Sequence, residues 1–210
     1  MISFSIPVRS GRSNDFFDFT VDSHSVLFAG SRFLSVEDQT AKDLVNIFGS
    51  IGFSFLTGCA SGVDDSFRLA LSRSDYKDRA VIGLAFPDRI DRCYGLSSLV
   101  VSKGFPPKVA LARRTIWMCS TCSLLVLFPE SRHGETGITW GRGSTLAFNT
   151  AVKKDKPVFV VTDKRPTDSD LYSAYPSSLF GVVKGYWCIP EALKNTGLSN
   201  EMRYKSTAIA

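Results

Sequence analysis

Residues 52–71, GFSFLTGCASGVDDSFRLAL, carry the reading that decides the fold. Gly52–Leu56 is a short apolar run that predicts a strand, closed by Thr57-Gly58. Val63, Phe67, Ala70 and Leu71 then recur at helical spacing. The turn between them, Gly58-Cys59-Ala60-Ser61-Gly62, pairs glycines with a hydroxyl at the start of a helix. The same strand–turn–helix pattern recurs on both sides. Upstream, His24–Ala29 (HSVLFA) is broken by Gly30; Ser35 and Asp38 read as a helix cap, ahead of Ala41, Leu44, Val45 and Phe48. Downstream, Ala80–Phe86 is a strand stopped by Pro87. Pro106-Pro107 opens a helix whose apolar stripe reads as Val109, Ala112, Ile116 and Cys119. Ser123–Phe128 is a nearly continuous apolar strand, a glycine-rich loop from Gly134 to Gly143 leads into a helix at Ser144–Lys153, and Pro157–Thr162 is a further strand.

Strands that are apolar throughout, separated by helices, are buried on both faces. That predicts an α/β fold of three layers, Rossmann-like, with a mainly parallel sheet and helices on both sides. Residues 2–8 and 16–21 are expected to pair as an extra hairpin at an edge. Residues 163–210 form a C-terminal excursion with a strand at Leu179–Tyr186. The whole chain of 210 residues reads as one domain with its core at 24–162.

Composition narrows the class. Hydrophobic residues at 44% and charged residues at 21% exclude a mostly disordered chain. No apolar run approaches the roughly 18–20 residues of a membrane helix, so no membrane partner is expected. Arg9, Arg12 and Asp15 interrupt the N-terminus before any signal-like segment, and the expected location is cytoplasmic. The formal charge of +5 is unevenly spread. No acid falls between Asp91 and Glu130, a window holding Arg92, Lys103, Lys108, Arg113 and Arg114. Another acid-free window, between Glu135 and Asp155, holds Arg142, Lys153 and Lys154. Both suit an anionic partner, and equally an ordinary solvated basic face. Five cysteines without metal-like histidine spacing predict reduced, structural thiols. Cys119 and Cys122 stand where a helix ends and a strand begins, and no metal or cofactor is expected.

In an open parallel sheet, ligands bind beyond the carboxyl ends of the strands. The residues there are Gly30-Ser31-Arg32, then Gly58 to Asp64, then Pro129 to Thr145. Glycine lets a phosphate approach the backbone, while helix N-termini and hydroxyls supply donors. No Walker loop and no GxGxxG follows a strand. Arg113 lies beside the predicted apolar stripe and is expected to reach the crevice; Arg114, about 100° round the helix, is expected in solvent. Asp64 would cap its helix or bind a ribose. Trp140 would stack on a base from a lid loop that also holds His133, or lie on ordinary surface.

GSR at 30–32, TGCASGVDDSFRLAL at 57–71, ARRTIWM at 112–118, SLLVLF at 123–128 and GRGSTLAFNTAVKKDKPVFVV at 141–161, in that order, resemble the SLOG superfamily of Rossmann-like proteins. Within it the DNA-processing protein A (DprA) family and related uncharacterised SLOG families are most similar. The resemblance covers residues 24–162. It implies a crevice for a nucleotide, a nucleotide-derived small molecule or a nucleic-acid phosphate, with single-stranded DNA as an alternative partner and a homo-oligomer as a compatible state. It nominates Gly30, Ser31, Arg32, Gly58, Ser61, Gly62, Asp64, Arg113, Arg114, Gly143, Ser144 and Thr145 for the ligand. The superfamily's Lonely Guy phosphoribohydrolases carry PGGxGTxxE, and here Phe148 stands at the position of that Glu. An N-glycosidase is therefore the less favoured reading, and it would need Glu130, Glu135 or Asp64 as a substitute.

Overall fold

The structure, a computed structural model, describes residues 2–10, 13–21, 24–134 and 137–194. The central strands are β3 (Ser25–Gly30), β4 (Ser54–Gly58), β5 (Ala80–Leu84), β6 (Ser97–Val100), β7 (Leu124–Phe128) and β10 (Val158–Val160). All six run parallel, in the order β10-β7-β3-β4-β5-β6. Successive side chains of a strand face opposite ways, and each face of the sheet builds its own core. Val26, Phe28, Phe55, Ile82 and Val126 meet α1 (Asp38–Ser50) and α2 (Val63–Ser72) through Leu44, Val45, Phe48, Phe67 and Leu71. Leu27, Leu125, Leu127 and Val158 meet α3 (Pro107–Thr121) and α4 (Arg142–Lys153) through Met118, Cys119, Ala147, Phe148 and Ala151. Phe28 and Phe67 stack with ring centroids 3.9 Å apart. Each such buried side chain contributes about 1.5–3 kcal/mol, so the two clusters fix the three layers.

Several expectations change. Ser35 does not cap α1, which begins at Asp38 with Glu37 at the cap position. The chain ahead of it is held instead by Val36 N–H, which donates to Ser66 Oγ on α2 at 3.0 Å. On α3 the buried residues are Ala110, Arg114, Met118 and Cys119, while Val109 and Ile116 are 44% and 42% exposed. The helix carries apolar residues on two sides, so periodicity alone does not choose the face. Gly83 on β5 does: a Cβ there would lie 2.8 Å from Met118 Sδ, so its absence lets α3 settle on that side.

The C-terminal segment extends the sheet. β11 (Tyr172–Leu179) and β12 (Val183–Pro190) form a hairpin, with β12 antiparallel to β10. The strand expected at 179–186 straddles the turn of this hairpin, where Phe180 and Gly181 have positive φ. A short helix, α5 (Glu191–Lys194), follows. At the other end β1 (Ile2–Ser10) and β2 (Ser13–Val21) pair with each other as expected, in a two-stranded sheet of their own whose β1 lies against the main sheet's edge strand β11. The glycine-rich loop before α4 is also a hairpin, β8 (Ser131–Gly134) with β9 (Gly137–Trp140). No helix among the described residues is long and apolar enough to cross a membrane.

Candidate functional site

The chain winds from β3 outward through β4, β5 and β6, then returns to place β7 and β10 on the other side of β3. The direction of winding reverses between β3 and β7, so a crevice opens past Gly30 and Phe128. Ser31 N–H donates to Phe128 O at 3.0 Å. Ser31 Oγ donates to Glu130 Oε2 at 3.2 Å and accepts from Phe33 N–H at 3.1 Å. The turn after β4 locks onto this one. Val63 N–H donates to Ser31 O at 3.1 Å, and Ser61 Oγ donates to Arg32 O at 3.1 Å. Gly62 permits the approach: its φ is +70°, and a Cβ would sit 2.5 Å from Ser31 O.

Under this double turn lies a cluster of charge. Arg68, fully buried on α2, donates from Nη1 to Gly58 O (2.7 Å) and Ala60 O (2.9 Å) and from Nε to Arg92 O (2.8 Å). It also meets Asp65 Oδ1 at 2.5 Å. Carbonyl and N–H point oppositely across a trans peptide. Drawing the Ala60 carbonyl inward therefore turns the Ser61 N–H away from Arg68.

Arg114 reaches the same turn from α3. Its side chain is 9% exposed; Nη1 lies 3.9 Å from Asp64 Oδ2 and donates to Cys59 Sγ at 3.4 Å, and its buried Nε has no partner. A Cβ on Gly58 would overlap Asp64 Oδ2 and lie 3.0 Å from Arg114 Nη1, so this glycine makes room for the pair. Burial holds the Asp64 carboxyl above its ordinary value, against the opposing pull of Arg114 and the Ala60 N–H. Burial works against a Cys59 thiolate too, yet Arg114, a backbone hydrogen bond from Ala85 and contacts from Arg114 and Arg89 outweigh it, and this thiol is held below its ordinary value. The other cysteines go the opposite way. Burial pushes Cys93, Cys119 and Cys188 up, and Cys122 up to about 12. Cys119 and Cys122 are packed in the core, as structural thiols would be.

Of the nominated residues, Gly30, Ser31, Arg32, Gly58, Ser61, Gly62, Asp64 and Arg114 come together. Arg113 does not: it is exposed and stacks over Phe105 at 4.3 Å, so the roles expected of the two arginines are exchanged. Arg32 contributes its carbonyl, while its guanidinium lies outside over the Phe33 ring at 5.4 Å. Gly143, Ser144 and Thr145 form the first turn of α4; among the described residues no hydrogen bond or ion pair joins them to the β3 and β4 turns. Thr145 N–H bonds Gly141 O at 3.0 Å, and Thr145 Oγ1 lies 3.4 Å from Trp140 O. Space around a Cβ at Gly143 is open, so this glycine meets no steric demand from the protein. Trp140 packs edge-on against Phe148, with centroids 5.1 Å apart, and Phe148 in turn against Tyr172. Trp140 is thus tied to the core, not poised in a lid. Sequence reading missed Arg68 and Cys59; the available signal was a cation beside the Val63–Phe67–Leu71 stripe and a thiol inside the glycine turn. Among the described residues no cluster of three His, Cys, Asp or Glu side chains is arranged to hold a metal ion.

The strand order and the glycine turns at its reversal define a Rossmann-like α/β protein with a crevice at the carboxyl edge of its sheet. Solved structures of DNA processing protein A are similar to this chain. The one from Helicobacter pylori, described with its single-stranded DNA binding mode, aligns with a TM-score of 0.51 at 17% identity, over 67% of this chain and 66% of that one. The one from Streptococcus pneumoniae aligns with a TM-score of 0.48 at 18% identity, over 68% of this chain and 51% of that one. The chain therefore spans just under two thirds of the first and about half of the second. No protein-family model and no curated protein matches it.

Proposed function

We propose that the crevice between the β3 and β4 turns binds a phosphate group of a nucleotide, a nucleotide-derived ligand or a nucleic acid. One observation carries the reading: Arg114 is buried at the carboxyl edge with its Nε unpartnered, beside glycines that clear space for it. A buried cation with an unused donor is costly unless an anion meets it. The outward Ser61 N–H and the N-terminus of α2 add to the same field. The position of the glycosidase carboxylate is taken by Phe148, packed between Trp140 and Tyr172. The two carboxylates that do lie in the cluster are engaged by the protein itself, Glu130 by Ser31 and Asp64 by Arg114 and the Ala60 N–H. The reading is therefore binding rather than N-glycosidic cleavage.

Single-stranded DNA is the second reading. Beyond the carboxyl ends of β3, β5 and β6 an arginine lies over a phenylalanine: Arg32 on Phe33, Arg89 on Phe86 at 5.1 Å, and Arg113 of α3 on Phe105 of the loop before it. Phe33 is 67% exposed and Phe105 44%. Cations interleaved with exposed rings are what sequence-tolerant base stacking uses, and the H. pylori protein of like fold binds single-stranded DNA.

Fluorescence anisotropy with a labelled oligonucleotide, competed by a panel of nucleotides, tests both readings. Arg114→Ala is expected to weaken whichever ligand binds by about 10- to 100-fold, the worth of one charge-assisted contact. DNA binding would fall steeply with salt and weaken on Phe33→Ala and Phe105→Ala, whereas a mononucleotide site would ignore Phe105. Unchanged affinity in a folded Arg114→Ala protein refutes the site.

A further inference from the structure

All five cysteines are buried, but Cys59 alone among them carries two arginine contacts on its sulfur among the described residues. Its Sγ receives Arg114 Nη1 at 3.4 Å and Arg89 Nη1 at 3.8 Å, two guanidiniums brought from different segments, α3 and the 3-10 turn at Pro87–Cys93. Among the described residues the one carboxylate paired with Arg114 is Asp64, at 3.9 Å, the outer limit of an ion pair. Burial favours the neutral form of that carboxyl. The sulfur is thus the nearest atom able to balance a guanidinium that is nine-tenths buried and still has an unpartnered Nε. The remaining charge around the turn is already engaged: Arg68 is held by Gly58 O, Ala60 O, Arg92 O and Asp65. The cover over the sulfur is thin on one side, because Arg89 is only part-buried and rests on the Phe86 ring. Cys59 itself is fully buried, so access to its sulfur calls for a movement of the Arg89 side chain.

We propose that Cys59 is a reactive thiolate, a modification site for small electrophiles and above all for oxidants of the peroxide class, set in the crevice by Arg114 and Arg89. The thiolate attacks one peroxide oxygen, forming S–O and breaking O–O. The sulfur is oxidised to a sulfenic acid or its anion, and the peroxide is reduced to hydroxide, which takes a proton from solvent to leave as water. Arg114 remains to bind the sulfenate oxygen. The site stands whether or not the crevice takes phosphate, since it needs only the sulfur and its two cations.

The full chain, folded, is treated with iodoacetamide across a pH series, and the labelled cysteines are located by peptide mass spectrometry. Cys59 is expected to react at neutral pH about tenfold faster or more than Cys93, Cys119, Cys122 and Cys188, with a midpoint below that of an ordinary thiol. Dilute hydrogen peroxide should add one oxygen at Cys59, trapped by a cyclic 1,3-diketone. Arg114→Gln should raise the midpoint. If that variant does not fold, Arg89→Ala is the decisive one: removing the cover and one cation should speed labelling at high pH while raising the midpoint. A native protein in which Cys59 reacts no faster than the four core thiols, or has an ordinary midpoint, overturns the proposal. Alkylation without any trapped oxygen overturns its peroxide specificity.

Discussion

Arg68→Met puts a number on what shapes the crevice. Methionine keeps much of the aliphatic stem while removing the charge and every donor. Three carbonyls then lose their partner: Gly58 O, fully buried, and Ala60 O and Arg92 O, partly so. Charge-assisted hydrogen bonds contribute about 1.5–3 kcal/mol each. Water can replace the donor at the two part-buried carbonyls but not at Gly58 O. The Asp65 contact adds little, because that carboxylate is 45% exposed. Some of the loss is offset by no longer burying a guanidinium. Counting Gly58 O in full and the other two at about half gives a loss of about 3–5 kcal/mol. At about 2–4 °C per kcal/mol for a chain of this size, the melting temperature should fall by about 6–20 °C. Circular dichroism melts of the two proteins measure it. Arg68→Lys should lie between them, since an ammonium cannot span both the 58–60 turn and Arg92 with the same fork. A drop below about 2 °C would show that the turn holds its shape without Arg68, and the outward aim of the Ser61 N–H would lose its cause.

The two glycines at the helix starts should behave oppositely. Gly62→Ala meets Ser31 O at 2.5 Å with φ at +70° and should cost about 2 kcal/mol or more in chemical denaturation, whereas Gly143→Ala enters open space in the first turn of α4 and should be neutral or stabilising by about 0.5–1 kcal/mol. Asp64 supplies a pH signature. Its folded carboxyl is raised by burial, so the folded chain keeps this proton at a higher pH than the unfolded chain does, and the group's contribution to stability declines as pH climbs from the ordinary carboxylate value through the raised one. Melting temperatures of wild type and Asp64→Asn should diverge over that interval in favour of the variant; parallel curves would contradict the assignment. Nucleoside monophosphates incubated with the wild-type protein should release no free base by chromatography, and release that a crevice mutation abolishes would restore the glycosidase reading.

The sequence by itself determined the layers and the place of the crevice. Runs such as LLVLF at 124–128 and VLF at 26–28 are apolar at every position, the pattern of a strand covered on both faces. The glycines that close these strands then mark the carboxyl edge wherever the strands end up. The C-terminal segment was less legible, because YSAYPSSL at 172–179 alternates small polar residues with aromatics and lacks the signature of a buried strand; pairing with β12 makes it one. Only the tertiary structure decided which arginine enters the site. Residues 109, 112 and 116 and residues 110, 114 and 118 are both acceptable helical stripes, and hydropathy prefers the first. The second is the buried one because Gly83 admits Met118 and Gly58 admits Arg114, while Cys59 and Asp64 give the guanidinium partners it would lack against any other surface. Whether a cation is buried depends on the groups waiting for it, and those stand about 50 residues away along the chain, beyond the reach of any local pattern.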